Sequence, residues 1–366
     1  MTTPTLGEQA SALLTHVAGF VAHRTIAMGL RNGLIGTLSV AGRPLSADEL
    51  ADRLHLDPFY VAVWCRAALA AGVCDRGGAD AGLGGRYELA AHVGTLLLDA
   101  GHPGYAGGVF TVLELPEVFD RFEGSLTDGA RMWWDDCSPA WIEGVAGTGA
   151  PFYTRLLASG FAQITGLAER LDAGCVVADI ACGSGAGLVR LAAAYPRCTL
   201  VGVDGDRHSL ELAARRCDDA GVGDRCTLVH GPLEEFTLPE PATLVINNIS
   251  MHECRDIDRV AENVRRSLEP GGWFVISDFP FPDSVEQLRS VPGRVMAGIQ
   301  FFEAQIDDQL LPRQCYDDLL RRHGFGDPAS MQLSPVHAVT YARTVPASVT
   351  SASATAQAPA MAHSQP

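Results

Sequence analysis

The stretch that most constrains this chain is Val176–Gly185, VVADIACGSG, followed by TLVGVDGD at Thr199–Asp206. An apolar run ends in an acid and a glycine-rich turn, and the helical pattern LVRLAAAY follows at once, so the unit reads as strand, tight loop, helix. Gly183 and Gly185 remove side chains where the backbone must turn sharply and approach a ligand closely. Asp204 closes the next strand, where a carboxylate can accept hydrogen bonds from a ribose diol. The spacing departs from the GxGxxG of dinucleotide-binding turns.

The alternation continues beyond this turn. SLELAARRCDDAG is a helix pattern, CTLVH and ATLVINN are strands, IDRVAENVRRSL is a helix, and WFVISD is a strand after the EPGG turn. Strands alternating with helices imply an α/β fold with a parallel, doubly wound sheet. LLPRQCYDDLLRRHGF adds a helix, and MQLSPVHAVTYAR reads as a closing hairpin. From residue 345 to 366 the chain is rich in Ala, Ser and Pro without Lys, Arg, Asp or Glu, which predicts a disordered tail.

The front of the chain has a different grammar. Leu13, Leu14, Val17, Phe20 and Val21 recur at helical spacing. Ser46 and Glu49 form a capping box, Asp57-Pro58 starts a second helix, and VCDRGG and GRYEL read as short strands around a glycine-rich turn. Helix, helix and a two-stranded wing make a winged-helix arrangement, which raises DNA binding. The second helix carries one basic residue, Arg66, and the net charge of −16 repels phosphate backbones and anionic membranes, so neither nucleic acid nor membrane is an expected partner. PFYTRLLASGFAQITGLAERL, from Pro151 to Leu171, reads as one long helix opened by its proline.

With 366 residues and 47% hydrophobic content the chain can hold two domains with their own cores. Ten cysteines without a C-x-x-C pair suit a reducing compartment. Neither a basic-then-apolar leader nor an apolar run of membrane-spanning length is present, and the expectation is a cytoplasmic protein.

The pattern D-x-A-C-G-S-G with an acid after the second strand resembles class I S-adenosylmethionine-dependent methyltransferases. The order of a winged-helix front and such a core is similar to the small-molecule O-methyltransferases of plants and bacterial natural-product pathways. The resemblance implies S-adenosyl-L-methionine as cofactor, with Asp179, Gly183 and Gly185 lining its amino-acid end and Asp204 holding its ribose. It also implies a homodimer through the front domain and a small organic acceptor in secondary metabolism. Ala181 stands where the family usually has its first glycine, and no adenine-binding acid is evident around Pro232 and Leu233. The expected domains are a winged-helix dimerisation domain over 11–100, a helical connector over 101–170 contributing to the substrate pocket, a cofactor-binding domain over 171–344, and the tail.

The stretch NNISMHECRDIDRV follows the fourth core strand at the carboxyl edge, where open α/β sheets bind ligands. Its H-E-x-x-D is similar to the family's H-D-x-x-D, which implies His252 as general base, flanked by Glu253 and Asp256, although Cys254 replaces the family's aromatic residue. Relatives also flank the base with later acids; Glu303 is the expected one here, with Asp278 as another. Arg294, Met296, Gln300, Phe301 and Phe302 fall in the segment that walls the substrate in relatives, and Trp133, Trp134 and Trp141 either roof that pocket or pack between helices. No metal is expected. The alternatives are C-methylation beside a ketone, with a metal on His252, Glu253 and Glu303 or Gln305, and a winged-helix ligand-sensing regulator.

Overall fold

The computed structural model describes residues 3–77 and 85–345. The glycine-rich turn expected within 78–84, and all of the expected tail except Val345, lie outside the described residues. The chain divides into two compact units, one of Met1–Ala158 with Ala297–Asp307 and one of Ser159–Met296 with Asp308–Pro366. The segment set apart in the sequence as a connector falls largely in the first unit.

In the first unit, α1 (Leu6–Arg31) opens with a capping box between Thr5 and Glu8. Then come α2 (Leu34–Val40), α3 (Ala47–Leu54) and α4 (Pro58–Ala70). The sequence caps hold: Ser46 and Glu49 exchange hydrogen bonds at the start of α3, and Asp57 accepts from the Tyr60 N–H at the start of α4. Antiparallel strands β1 (Cys74–Gly77) and β2 (Arg86–Leu89) follow. Ile35, Leu45, Leu50, Val61, Cys65 and Tyr87 form the core of this part, and the Trp64 indole N–H ties α4 to the Thr25 carbonyl at 2.9 Å.

The long helix expected from Pro151 is placed differently. Helix α5 (Pro139–Arg155) starts twelve residues earlier, where Ser138 caps it and Pro139 occupies the first turn, and Pro151 lies inside it. Past Arg155 the chain passes through a π turn (Leu156–Gly160), a 3-10 turn (Phe161–Gln163) and a short helix, Leu167–Ala173. The π turn interrupts the helical ladder after Arg155, and Gly166 turns the chain at φ 79°, so one continuous helix does not form.

The second unit carries the sheet. Strands β3 (Val176–Ile180), β4 (Thr199–Asp204), β5 (Cys226–His230), β6 (Ala242–Asn248) and β7 (Leu268–Asp278) run parallel. Helices α6 (Ala186–Ala194), α7 (Arg207–Asp219) and α8 (Ile257–Ser267) connect them. After α9 (Val291–Glu303) and α10 (Arg313–Arg322), β8 (Ala329–Ser334) and β9 (His337–Arg343) close the sheet antiparallel. The order across the sheet is β5-β4-β3-β6-β7-β9-β8, the doubly wound arrangement read from the sequence. One face packs Ile180, Val203, Val245, Phe274 and Ile276 against Val260 and Val264 of α8 and Tyr316, Leu319 and Leu320 of α10. Among the described residues no helix is long and apolar enough to cross a membrane, and all ten cysteines are free thiols.

Candidate active site

Four neighbouring strands end at one edge of the sheet: β4 with Asp204, β3 with the glycine turn, β6 with the loop to His252, and β7 with Asp278. Parallel pairing forces this, because all their carboxyl ends point the same way.

At the turn, Asp179 is fully buried in β3. The Cys182 N–H donates to the Val203 carbonyl at 3.0 Å and joins the turn to β4. Asp204 completes the join, since one carboxylate oxygen accepts from the Gly183 N–H at 2.8 Å and the other from the Asp206 N–H at 2.9 Å. Burial pushes the Asp204 carboxyl above its ordinary value, against the pull of these backbone donors.

The two glycines of the turn do different work. Both have positive φ, 51° at Gly183 and 78° at Gly185. A β-carbon on Gly185 would meet the Ala213 Cα at 2.8 Å, so this glycine lets α7 pack against the turn. On Gly183 it would meet nothing within 4 Å, and the cradle there is open. Ala181 also takes a positive φ, 60°, so the residue standing for the family's first glycine costs backbone strain as well as a methyl group.

His252 sits in a 3-10 turn, Met251–Glu253, after β6. Ile249 enters this turn at φ 52°, a strained conformation for a β-branched residue, held by its N–H on the Ser277 carbonyl at 2.7 Å. The His252 side chain is buried and its Nδ1 lies 2.9 Å from Asp278 Oδ2. The Tyr316 hydroxyl donates to the same oxygen at 2.6 Å, and the Phe279 N–H donates to Oδ1 at 2.7 Å. The Phe279 ring stands edge-on to the imidazole, 6.3 Å between centroids.

Of the neighbours expected for His252, Asp256 is engaged in capping α8 through the Arg259 N–H. Cys254, in place of the aromatic residue, directs its thiol to the Ser250 carbonyl at 3.3 Å, and burial pushes it up. Met296 is buried in the second unit. Glu303 is buried at the end of α9 and belongs to the first unit. In that unit Trp141 stacks on Phe302 at 4.1 Å, Trp134 lies 5.5 Å from the same ring, and Trp133 is exposed, so the first two serve as helix packing. The Gln305 amide is committed to the Glu117, Val118 and Phe301 carbonyls.

The sequence reading offered Asp278 only as a second flanking acid and did not single out Tyr316 at all. Asp278 ends a strand pattern and so carries a local signal; Tyr316 carries none, being one apolar-face position of an ordinary amphipathic helix.

A mostly parallel sheet of this strand order, with a glycine turn after β3 and an acid ending β4, has the class I S-adenosylmethionine-dependent methyltransferase fold. Residues 177–272 match the family described as a methyltransferase domain. The malonyl-[acyl-carrier protein] O-methyltransferase of Nitrosospira multiformis is 30% identical over 128 residues, 31% of this chain and 41% of that protein. A dTDP-4-amino-2,3,4,6-tetradeoxy-D-glucose N,N-dimethyltransferase of Saccharopolyspora spinosa is 33% identical over 109 residues, 29% and 41% of the two chains. The chain thus spans about two fifths of the length of these curated relatives. Human N-acetylserotonin methyltransferase, solved in complex with S-adenosylmethionine, superposes with a TM-score of 0.70 over 94% of this chain and 100% of that one, at 14% identity. A Nostoc punctiforme protein assigned as an O-methyltransferase superposes at 0.72, covering 94% and 100%, with 16% identity. At such identities the likeness is one of fold.

Proposed function

We propose that this chain is an S-adenosyl-L-methionine-dependent methyltransferase acting on the oxygen of a small organic acceptor of secondary metabolism, in the cytoplasm. The observation that carries the reading is the buried His252–Asp278 pair at the carboxyl edge, two strands from Asp204 and beside the glycine turn. The residues present suit the cofactor: the open cradle at Gly183 accepts a close-lying ligand, and Asp204, held by the Gly183, Gly205 and Asp206 N–H groups, has carboxylate lone pairs to spare for a diol. Asp179 and Gly185 support that turn, one buried beneath it and the other closing it on α7.

When bound, S-adenosyl-L-methionine supplies an electrophilic methyl group on sulfur. The chain supplies alignment, a water-poor edge and a base. With Asp278 accepting from Nδ1, the His252 proton resides on Nδ1 and the lone pair on Nε2, the arrangement that lets an imidazole take a hydroxyl proton. Glu303 enters from the family resemblance as a second acid.

The front unit is proposed as a winged-helix dimerisation domain, supported by the apolar side chains that α1 and α4 leave at the surface. The test is calorimetry with S-adenosylmethionine and S-adenosylhomocysteine, followed by an acceptor screen with labelled methyl. His252→Ala is expected to bind both and to lose roughly 10²–10⁴-fold in turnover. A fully active variant removes His252 as base, and absence of binding by the parent protein removes the methyltransferase reading.

A further inference from the structure

We propose that Tyr316 is a positioning residue for His252, acting through Asp278. The inference rests on the reading of His252 as base and adds a residue from a helix that the sequence ties to no site. Tyr316 lies on α10, buried, 64 residues from His252 along the chain. Its ring joins the core of α8, α10 and the sheet, which a phenylalanine would fill equally well. The hydroxyl is the part that packing does not require, and it donates at 2.6 Å to the same Asp278 oxygen that faces His252 Nδ1.

Three donors converge on Asp278: the Phe279 N–H on Oδ1, and the Tyr316 O–H and the His252 Nδ1–H on Oδ2. A carboxylate that only accepts satisfies all three, and it does so with His252 in the Nδ1–H tautomer. The terminal torsion of an aspartate is soft, so a donor on one oxygen alone is a weak hold. The phenol and the Phe279 amide together fix the carboxylate plane independently of the histidine, which then meets a preset acceptor. Burial and the Asp278 charge both push the Tyr316 hydroxyl well up, so it remains a donor over the whole working range. Helix α10 is itself tied to β8 by Arg313, whose guanidinium donates to the Ser330 hydroxyl at 2.8 Å.

The experiment is nitrogen-15 NMR of histidine-labelled full-length protein at about pH 8, where free imidazole is neutral, on the parent chain, Tyr316→Phe and Tyr316→Leu. Melting and S-adenosylhomocysteine calorimetry run in parallel. The parent is expected to show His252 as a single Nδ1–H tautomer. Both variants lose that signature and show the two tautomers in exchange, while Tyr316→Phe keeps its S-adenosylhomocysteine affinity within about twofold, the change expected when no cofactor contact is removed. A His252 tautomer unchanged in Tyr316→Phe overturns the proposal, and so does a change confined to Tyr316→Leu, which would mark lost packing. The tautomer is read without cofactor or acceptor. Failure of the parent to bind S-adenosylhomocysteine therefore sinks the methyltransferase reading separately.

Discussion

In the second unit, the large apolar side chains that reach solvent among the described residues are confined to one span, Val285, Leu288, Val291 and Val295, whereas α1 alone exposes Leu13, Leu14, Val17, Phe20 and Val21. Helix α4 adds Phe59 and Tyr60, 70% and 73% exposed. The sheet unit buries its pattern against itself, strand face on helix face. The helical unit buries one side of α4, through Val61, Trp64, Cys65 and Ala68, and leaves the other uncovered. Full burial of each such side chain is worth about 1.5–3 kcal/mol, and a row of them at the surface forgoes that gain unless it is covered. The difference teaches that the two units satisfy their apolar patterns differently: the sheet unit largely within itself, the helical unit with one face of α1 and α4 left at its surface.

The sharpest way to break this comparison is to charge the uncovered face. Val17→Asp with Phe20→Asp is expected to turn the proposed homodimer into a monomer, with association weakened by about 10³-fold or more, since two unpaired carboxylates would be buried. Analytical ultracentrifugation decides it, and a parent protein that sediments as a monomer defeats the association reading directly. On the sheet side the two glycines should separate. Gly185→Ala drives a β-carbon into the Ala213 backbone at φ 78° and is expected to cost about 3 kcal/mol or more in stability. Gly183→Ala is expected to cost about 1–2 kcal/mol in backbone strain and to weaken S-adenosylhomocysteine binding, because its methyl group enters open space. Urea unfolding beside calorimetry measures both, and the reverse ranking would mean that the open cradle is not the ligand side.

A smaller effect concerns pH. Burial raises the Asp204 carboxyl above 3.8 in the free protein, so folding favours its protonated form; that stabilising contribution is present below 3.8 and is lost as pH rises through the raised value. A ribose diol donates to the ionised form. S-adenosylhomocysteine affinity is therefore expected to fall as pH drops through the raised value, sooner than for an ordinary aspartate, and Asp204→Asn should flatten the dependence. Calorimetry at stepped pH tests this, and a flat parent profile would take the diol away from Asp204. The smallest expected effect is at Ala181, where Ala181→Gly relieves a positive φ worth about 1 kcal/mol and raises the melting temperature by roughly 2–4 °C. A lowered melting temperature would show that the turn does not strain Ala181.

Much of the fold was legible because its signals are local. Parallel strands buried on both faces read as continuous apolar runs, as in ATLVINN, all of it buried in β6, and glycine turns punctuate them. Ser46 and Asp57 announced α3 and α4 because a cap is an exchange between residues three apart. The same logic misled at Pro151: Ser138-Pro139 carries an equivalent start signal, and a proline inside a helix looks locally like one that opens it. The candidate site was legible on its chain side only. Asp179, Gly183, Gly185, Asp204 and His252 stand next to strand ends that periodicity locates, but nothing local in the sequence separates the two glycines or gives Ala181 its positive φ. Space around a β-carbon and the sign of φ belong to the packed backbone.

By itself, the sequence determined which segments become strands, where the chain must turn, and which acids and which histidine reach the carboxyl edge, since these follow from a period of two or three and a half residues and from punctuation. Only the tertiary structure decided that Gly185 serves α7 while Gly183 faces open space, that Asp278 faces His252 Nδ1 within hydrogen-bond distance, and that Tyr316 shares the same oxygen. The physical reason is that a side-chain hydrogen bond between residues 26 or 38 positions apart depends on strand register and helix docking, which no local pattern specifies.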